Sequence, residues 1–238
     1  MRLVFLDWGR LPYREAWARQ KELVELRARD EIPDTIVFCE HEPVITLGRG
    51  GQRGADGKRQ GEGQPVVLGV PAFVEIVETE RGGSATYHGP GQLVIYPIVR
   101  IASSHGRRSF RSGVTEFLRF LETVLLRFAV AHGLEARTIE GQTGVWVKHP
   151  SRPGERKVAS LGIALRHWVT YHGAALNLST GPEPWTWIQP CGFEASVMTD
   201  LERETGQKIN YLDAVRELRK LLSSLVEETS RESSGASE

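Results

Sequence analysis

Thiols are almost absent: only Cys39 and Cys191 occur in 238 residues, far apart and in no C-x-x-C spacing. That argues against a disulfide framework and against a structural zinc site. The seven histidines show no H-E-x-x-H or comparable spacing, so no metal centre is expected. Net charge is missing too, because thirty basic residues balance thirty acidic ones. No whole-molecule field therefore draws the chain to nucleic acid or to an anionic membrane. Long apolar runs are also lacking. Four consecutive apolar residues, Leu3 to Leu6, precede Asp7. That run is too short for a signal-peptide core, and nothing downstream approaches a membrane span. The sequon formed by Asn177, Leu178 and Ser179 then reads as coincidence. What remains is an ordinary globular composition, 40% hydrophobic and 25% charged. The length suffices for one α/β domain with a real core, and the expectation is a reduced, cytoplasmic protein.

Apolar patterning predicts a strand at 2–8 and an amphipathic helix at 13–30, with Tyr13, Ala16, Trp17, Leu23 and Val24 near one face. Short strands at 35–39 and 44–47 flank a turn at Pro43. The stretch 48–64, rich in Gly, Arg and Gln, is a loop long enough to suggest function. Further strands are expected at 66–68, 73–79 and 93–98. Val114, Phe117, Leu118, Leu121, Leu125 and Phe128 follow helical spacing, with Gly133 placed to end the helix. Strands at 144–148, 157–165 and 169–178 come next, the first two joined by a polar turn at 149–156. Thr199 with Glu202 reads as a capping box for a short helix closed by Gly206. Asn210 caps a last helix with Leu212, Val215, Leu218, Leu222 and Leu225 on its apolar face. There are no internal repeats. This order is strand-rich and not a regular β-α alternation. It predicts an α+β fold, a mainly antiparallel or mixed sheet with flanking helices. One domain is expected over 1–225, followed by a disordered polar tail at 226–238.

Three segments carry more chemistry than a scaffold needs. In RGGSATYHGPGQ at 81–92, four glycines and a proline prevent a regular strand and let backbone amides approach a ligand. A hydroxyl, a phenol, an imidazole and a guanidinium are interleaved with them. The same composition also fits a surface turn. It is neither a dinucleotide fingerprint nor a P-loop, since the glycine spacing is wrong and no Gly-Lys-Ser/Thr follows. In KVASLG, Lys157 opens an otherwise apolar strand. Desolvation would lower its pKa and make it a proton acceptor, although the position also fits the solvated end of a strand. Gly162 and Gly173 either admit a ligand chain close to the sheet or mark bulges. Finally, Cys191 lies between Pro190 and Gly192, as in a turn, whereas Cys39 follows Ile-Val-Phe and reads as a small core residue. No Gly-x-Ser-x-Gly elbow is present. Cysteine with lysine is the remaining nucleophile–base pair.

Taken together, RGGSATYHGPGQ at 81–92, KVASLG and HGAALN between 157 and 177, and PCG at 190–192 resemble the lipoate-biosynthesis octanoyltransferases. The resemblance covers about residues 1–225 and departs at Met198-Thr199-Asp200, where a threonine-serine pair is typical. It implies a fold similar to the biotin and lipoate protein ligase catalytic domain. It also implies transfer of an octanoyl group from acyl carrier protein to a lysine of lipoyl domains. Those acceptors would belong to 2-oxoacid dehydrogenases and the glycine cleavage system H protein. No cofactor is implied, since the acyl group arrives on the carrier's phosphopantetheine. In residues, the resemblance makes Cys191 the acyl-thioester nucleophile and Lys157 its proton-handling partner. Arg81, Gly82, Gly83, Ser84, Ala85, Thr86, Tyr87 and His88 would line the acyl site, with Ser160, Leu161, Gly162, Gly173, Ala174 and Ala175. Backbone amides near Gly162, with His88, are the expected oxyanion donors. Competing expectations are an ATP-dependent lipoate or biotin ligase on the same fold, a non-catalytic carrier-binding module, and a thioesterase.

Overall fold

The computed structural model describes residues 3–51, 67–101, 113–148, 154–189 and 194–235. The strands are β1 (Leu3–Leu11), β2 (Asp34–His41), β3 (Val44–Leu47), β4 (Glu75–Glu78), β5 (Ala85–His88), β6 (Gln92–Ile98), β7 (Glu135–Ile139), β8 (Gln142–Lys148), β9 (Glu155–Arg166) and β10 (Val169–Asn177). The helices are α1 (Tyr13–Ala28), α2 (Val114–Ala131), α3 (Leu201–Thr205) and α4 (Tyr211–Gly235). Seven strands form one sheet in the order β1-β2-β6-β10-β9-β8-β7, and β4-β3-β5 form a second. β1 with β2 and β3 with β4 run parallel; the other pairs are antiparallel. The α+β expectation therefore holds, with a mixed, mainly antiparallel sheet system.

Both faces of the large sheet are covered, and strand alternation sorts the side chains between them. On β2, Ile36 and Phe38 join the core packed by Phe117, Leu121 and Leu125 of α2 and Leu218 and Leu222 of α4. Val37 and Cys39 face the opposite way, with Tyr96, Ala175 and Ala16 of α1. Burial on both faces explains why the central strands read as continuous apolar runs. The small sheet closes over the same side as α1, where Ile45, Ala85 and Tyr87 pack with Trp185, Ile188 and Met198.

Several expectations need correction. A strand, β5, does form inside 81–92, because the glycines flank the β-prone run Ala-Thr-Tyr-His, which pairs with β3. Among the described residues of the 66–79 region, 67–79, only β4 forms a strand; Phe73 is 73% exposed and Val67 makes one isolated bridge. β7 was not expected. The buried face of α1 includes Gln20 and Arg27, which an apolar count passes over. The cap of α3 is Asp200, whose Oδ1 accepts from Arg203 N at 2.8 Å; the Thr199 hydroxyl donates instead to Glu204 Oε1 at 2.6 Å. Gly206 does close that helix, in the left-handed region. Asn210 Oδ1 accepts from Leu212 N at 2.8 Å, but Leu212 itself is exposed. α4 continues to Gly235, past the expected start of disorder at 226. Val226 is buried there, and Glu228 reaches Arg127 of α2 at 3.1 Å. Most of the 48–64 loop and much of the 149–156 turn lie outside the described residues.

Candidate active site

A cleft of about 470 Å³ runs beside β9, β10 and β6, within the size range of small-molecule sites. Lys157 lines it and is only 4% exposed, so the lysine does not mark a solvated strand end. The strand itself aims it. Val145 pairs with Ala159 and Trp146 with Lys157, which leaves Val158 as the extra residue of a bulge. The ammonium nitrogen then lies 5.2 Å from the Trp146 ring centroid, a cation–π distance. Gly144 makes room for it: a β-carbon there would lie 2.4 Å from Lys157 Cε and 2.5 Å from the Ala159 carbonyl, at φ +134°. Lys157 O accepts from Thr199 N at 3.1 Å, and Lys157 bridges Met198. The strand is thus tied to the chain just downstream of Cys191. Pro190, Cys191 and Gly192 lie outside the described residues. Upstream of them Ile188 is fully buried and bridges Val67. Cys39 is a buried core residue, with its thiol pKa pushed up by burial and by Asp7 and Glu40.

The Arg81–Gly83 stretch covers β9 where β8 no longer pairs with it. Gly82 N donates to Ile163 O at 3.1 Å. A β-carbon on Gly162 would lie 2.7 Å from Gly82 O, and one on Gly48 would lie 2.4 Å from Gly83 O. Gly162 therefore has a packing role: it admits a neighbouring backbone. Gly173, at φ +159°, does the same for β6, since a β-carbon there would meet Ile95 O at 2.1 Å. Arg81 is buried and anchors the loop, with Nε and Nη2 donating to Thr46 Oγ1 at 3.0 and 2.8 Å. Of the residues expected at the acyl site, Arg81, Gly82, Gly83, Thr86, His88, Ser160, Leu161, Gly162, Gly173, Ala174 and Ala175 line this cleft. Ser84, Ala85 and Tyr87 do not. Alternation on β5 sends Tyr87 to the other side, where its ring meets Trp185 and Trp187 at 5.8 Å.

One part of the cleft is polar and buried. Gln92 Nε2 donates to Tyr87 O and to Asn177 Oδ1, which fixes its Oε1 as the acceptor for His88 Nδ1 at 2.7 Å. His88 thus carries its proton on Nδ1. Its Nε2 lies 3.5 Å from Thr46 Oγ1, whose lone pairs already face Arg81. Burial, then His41 and Arg81, hold the imidazole neutral. An acceptor nitrogen cannot donate to an oxyanion, so His88 is corrected from an oxyanion donor to a member of a fixed polar frame. That frame continues from Asn177 Nδ2 to Thr199 O at 2.9 Å, and so to the Lys157 backbone.

Beside His88 stand His41, His172, Tyr13 and Tyr96. His41 Nδ1 donates to Leu11 O at 3.0 Å and its Nε2 accepts from the Tyr96 hydroxyl at 2.7 Å; burial holds its pKa at about 4. His172 adopts φ +55°, its N donates to Gln20 Oε1 at 2.8 Å, and its Nδ1 lies 3.3 Å from the Tyr13 hydroxyl. Burial, then Arg81 and Lys21, push its pKa to about 3. The 3.7 Å approach of Glu80 to its Nε2 is therefore no ion pair at neutral pH. Tyr13, Tyr96 and His172 all line the cleft, as do Leu118, Gln142 and Thr143. Sequence reasoning assigned none of them to the site. The one signal was His172-Gly173, a histidine before a glycine. Among the described residues, no group of three or more His, Cys, Asp or Glu is placed to hold a metal ion. No described helix is long and apolar enough to cross a membrane.

The arrangement of a seven-stranded mixed sheet, a small three-stranded sheet and flanking helices is the fold of the lipoate protein ligases. The bipartite lipoate protein ligase of Thermoplasma acidophilum has a similar fold, with a TM-score of 0.65 at 16% identity over 95% of this chain and 84% of that one. A lipoate-protein ligase A bound with ATP has a TM-score of 0.55 at 16% identity, over 97% and 85%. At that identity the likeness shows fold alone. The sequence goes further: residues 12–223 match the lipoyl protein ligase A/B catalytic domain, and the chain belongs to that family. Its relatives include an octanoyltransferase of Bacteroides fragilis, 36% identical over 95% of this chain and 99% of the relative. The octanoyltransferase of Rubrobacter xylanophilus is 39% identical over 88% and 87%.

Proposed function

We propose that the protein is a cytoplasmic octanoyltransferase that takes an octanoyl group from acyl carrier protein and passes it to a lysine of a lipoyl domain. The acceptors are lipoyl domains of 2-oxoacid dehydrogenases and the glycine cleavage system H protein. The observation that carries this reading is full-length similarity to octanoyltransferases, with a buried lysine at the cleft as its chemical counterpart.

The chemistry needs no ATP, metal or resident cofactor, because the donor is already a thioester. Cys191, as thiolate, attacks the acyl carbonyl; the carrier thiol leaves with a proton, and an acyl-enzyme remains. The acceptor lysine, as free amine, attacks that thioester, the amide forms, and Cys191 is released. A free thiol of pKa about 8.5 is a few per cent ionised at neutral pH. Bringing it to about 7 takes about 2 kcal/mol of differential stabilisation, which one ammonium in a partly dry site supplies. Lys157 is that ammonium in the first step and takes the proton of the incoming amine in the second, the two groups titrating as a pair. The oxyanion donors are backbone amides on the edge of β9. Gly82 N bonds Ile163 O on this edge. The amide of Leu161, one pleat earlier, faces the same way, where pairing with β8 has stopped at Ala159.

The test is transfer from octanoyl carrier protein to a purified lipoyl domain without ATP. Octanoyl amide on the acceptor lysine is the expected product. Transfer only from free octanoate with ATP would replace this reading with the ligase, and free octanoate as the sole product would replace it with a thioesterase.

A further inference from the structure

Glu122 sits on α2, is only 1% exposed, and belongs to no surface. Its Oε2 meets Arg119 Nη1 at 2.6 Å, and its Oε1 accepts from the backbone N–H of Gly144 at 2.8 Å. Gly144 is the residue whose missing β-carbon leaves room for Lys157 Cε and Nζ. A carboxylate reaching from a helix to one strand amide therefore sets the height of the ledge on which the lysine side chain rests. We propose that Glu122 is a positioning residue for transfer: by holding the Gly144 amide it fixes the place of the Lys157 ammonium in the cleft. This rests on the reading of Lys157 as the proton-handling group.

The geometry allows little slack. Gly144 lies at the start of β8, next to the bulge that re-aims β9, and its φ of +134° already departs from strand values. Pairing with β9 reaches only to Val145, so Gly144 lies just beyond the last rung of that ladder. The Glu122 bond is what fastens its N–H. Without an acceptor, that amide is free to turn toward another partner and carry the ledge with it. A displacement of about 1 Å at a reacting group can cost about a hundredfold in rate.

The experiment compares Glu122→Leu, Glu122→Gln and Lys157→Met with the wild-type full chain, using octanoyl carrier protein and a lipoyl domain. Glu122→Leu removes the acceptor and is expected to lower kcat between about tenfold and a hundredfold with the donor KM unchanged. Glu122→Gln still offers a carbonyl oxygen to Gly144 and is expected to recover most of that loss. If Glu122→Leu does not fold by thermal melting, Glu122→Asp, which withdraws the acceptor by one methylene, carries the same kinetic test. A wild-type kcat in the variant lacking or withdrawing the acceptor, with Lys157→Met inactive, overturns the inference and leaves the reading of Lys157 standing. Equal loss in kcat for Glu122→Gln and Glu122→Leu also overturns it, since the acceptor would then be irrelevant. Full activity of Lys157→Met overturns the reading itself, and the inference with it.

Discussion

Acidifying the protein from about pH 7 to about pH 5 should remove stability at the buried imidazoles of the cleft. In the unfolded chain a histidine titrates near 6.5, whereas in the fold His41 is held at about 4 and His172 at about 3. Both are depressed mainly by burial, so the folded state binds fewer protons than the unfolded one between those values. The associated stability is fully present above about 6.5 and is lost as the pH falls toward the folded values. At pH 5 each group costs about 1.5 pH units multiplied by 1.36 kcal/mol, or about 2 kcal/mol. His41 and His172 together then cost about 4 kcal/mol, a large share of the 5–15 kcal/mol that holds a typical domain folded. His88, also held neutral, adds in the same direction. The assay is urea unfolding at pH 7, 6 and 5 for the wild type and for His41→Gln with His172→Asn. Asparagine is chosen because position 172 sits at φ +55°, a region asparagine tolerates. The double variant should lose less stability on acidification than the wild type, by about 4 kcal/mol over the range. Equal pH slopes for both proteins would refute the reasoning.

The glycine that admits the Arg81–Gly83 loop gives a second test. Gly162→Ala places a methyl group 2.7 Å from Gly82 O, a backbone atom, so the loop must move. Overpacking of this kind costs about 1–3 kcal/mol, read as a lower unfolding midpoint together with a lower kcat. Chain-length preference supplies a third. Ala175 and Gly173 line the cleft with minimal side chains. Ala175→Leu should reduce kcat/KM for octanoyl donors by about fourfold per displaced methylene, at about 0.8 kcal/mol each. Hexanoyl donors should be spared, as competition between the two chain lengths would reveal.

Elements governed by local pattern were legible in the sequence. The spacing of Phe117, Leu121, Leu125 and Phe128 placed α2, and the β-branched run around Cys39 placed β2. Elements governed by distant partners were not. β7 has no buried residue and no regular alternation, and is defined by its pairing with β8. β5 lay hidden among glycines until β3 supplied its partner. In the candidate site, Lys157 stood out as a charge in an apolar strand, yet its burial depends on a glycine at 144 and a bulge at Val158. Neither signals itself without the register. Tyr13, Tyr96 and His172 read as ordinary core or strand residues, because three separate elements bring them together. Gln20 and Glu122 are buried polar groups whose acceptor roles are set by strands far along the chain, so no periodicity announces them.

The proposal that acyl transfer passes through Cys191 is tested most directly by intact mass spectrometry after incubation with octanoyl carrier protein and no acceptor. The wild type should gain one octanoyl mass that hydroxylamine removes, and Cys191→Ser should gain no hydroxylamine-labile adduct. A labile octanoyl adduct of equal yield on Cys191→Ser, or none on a wild type that still completes transfer, would contradict it.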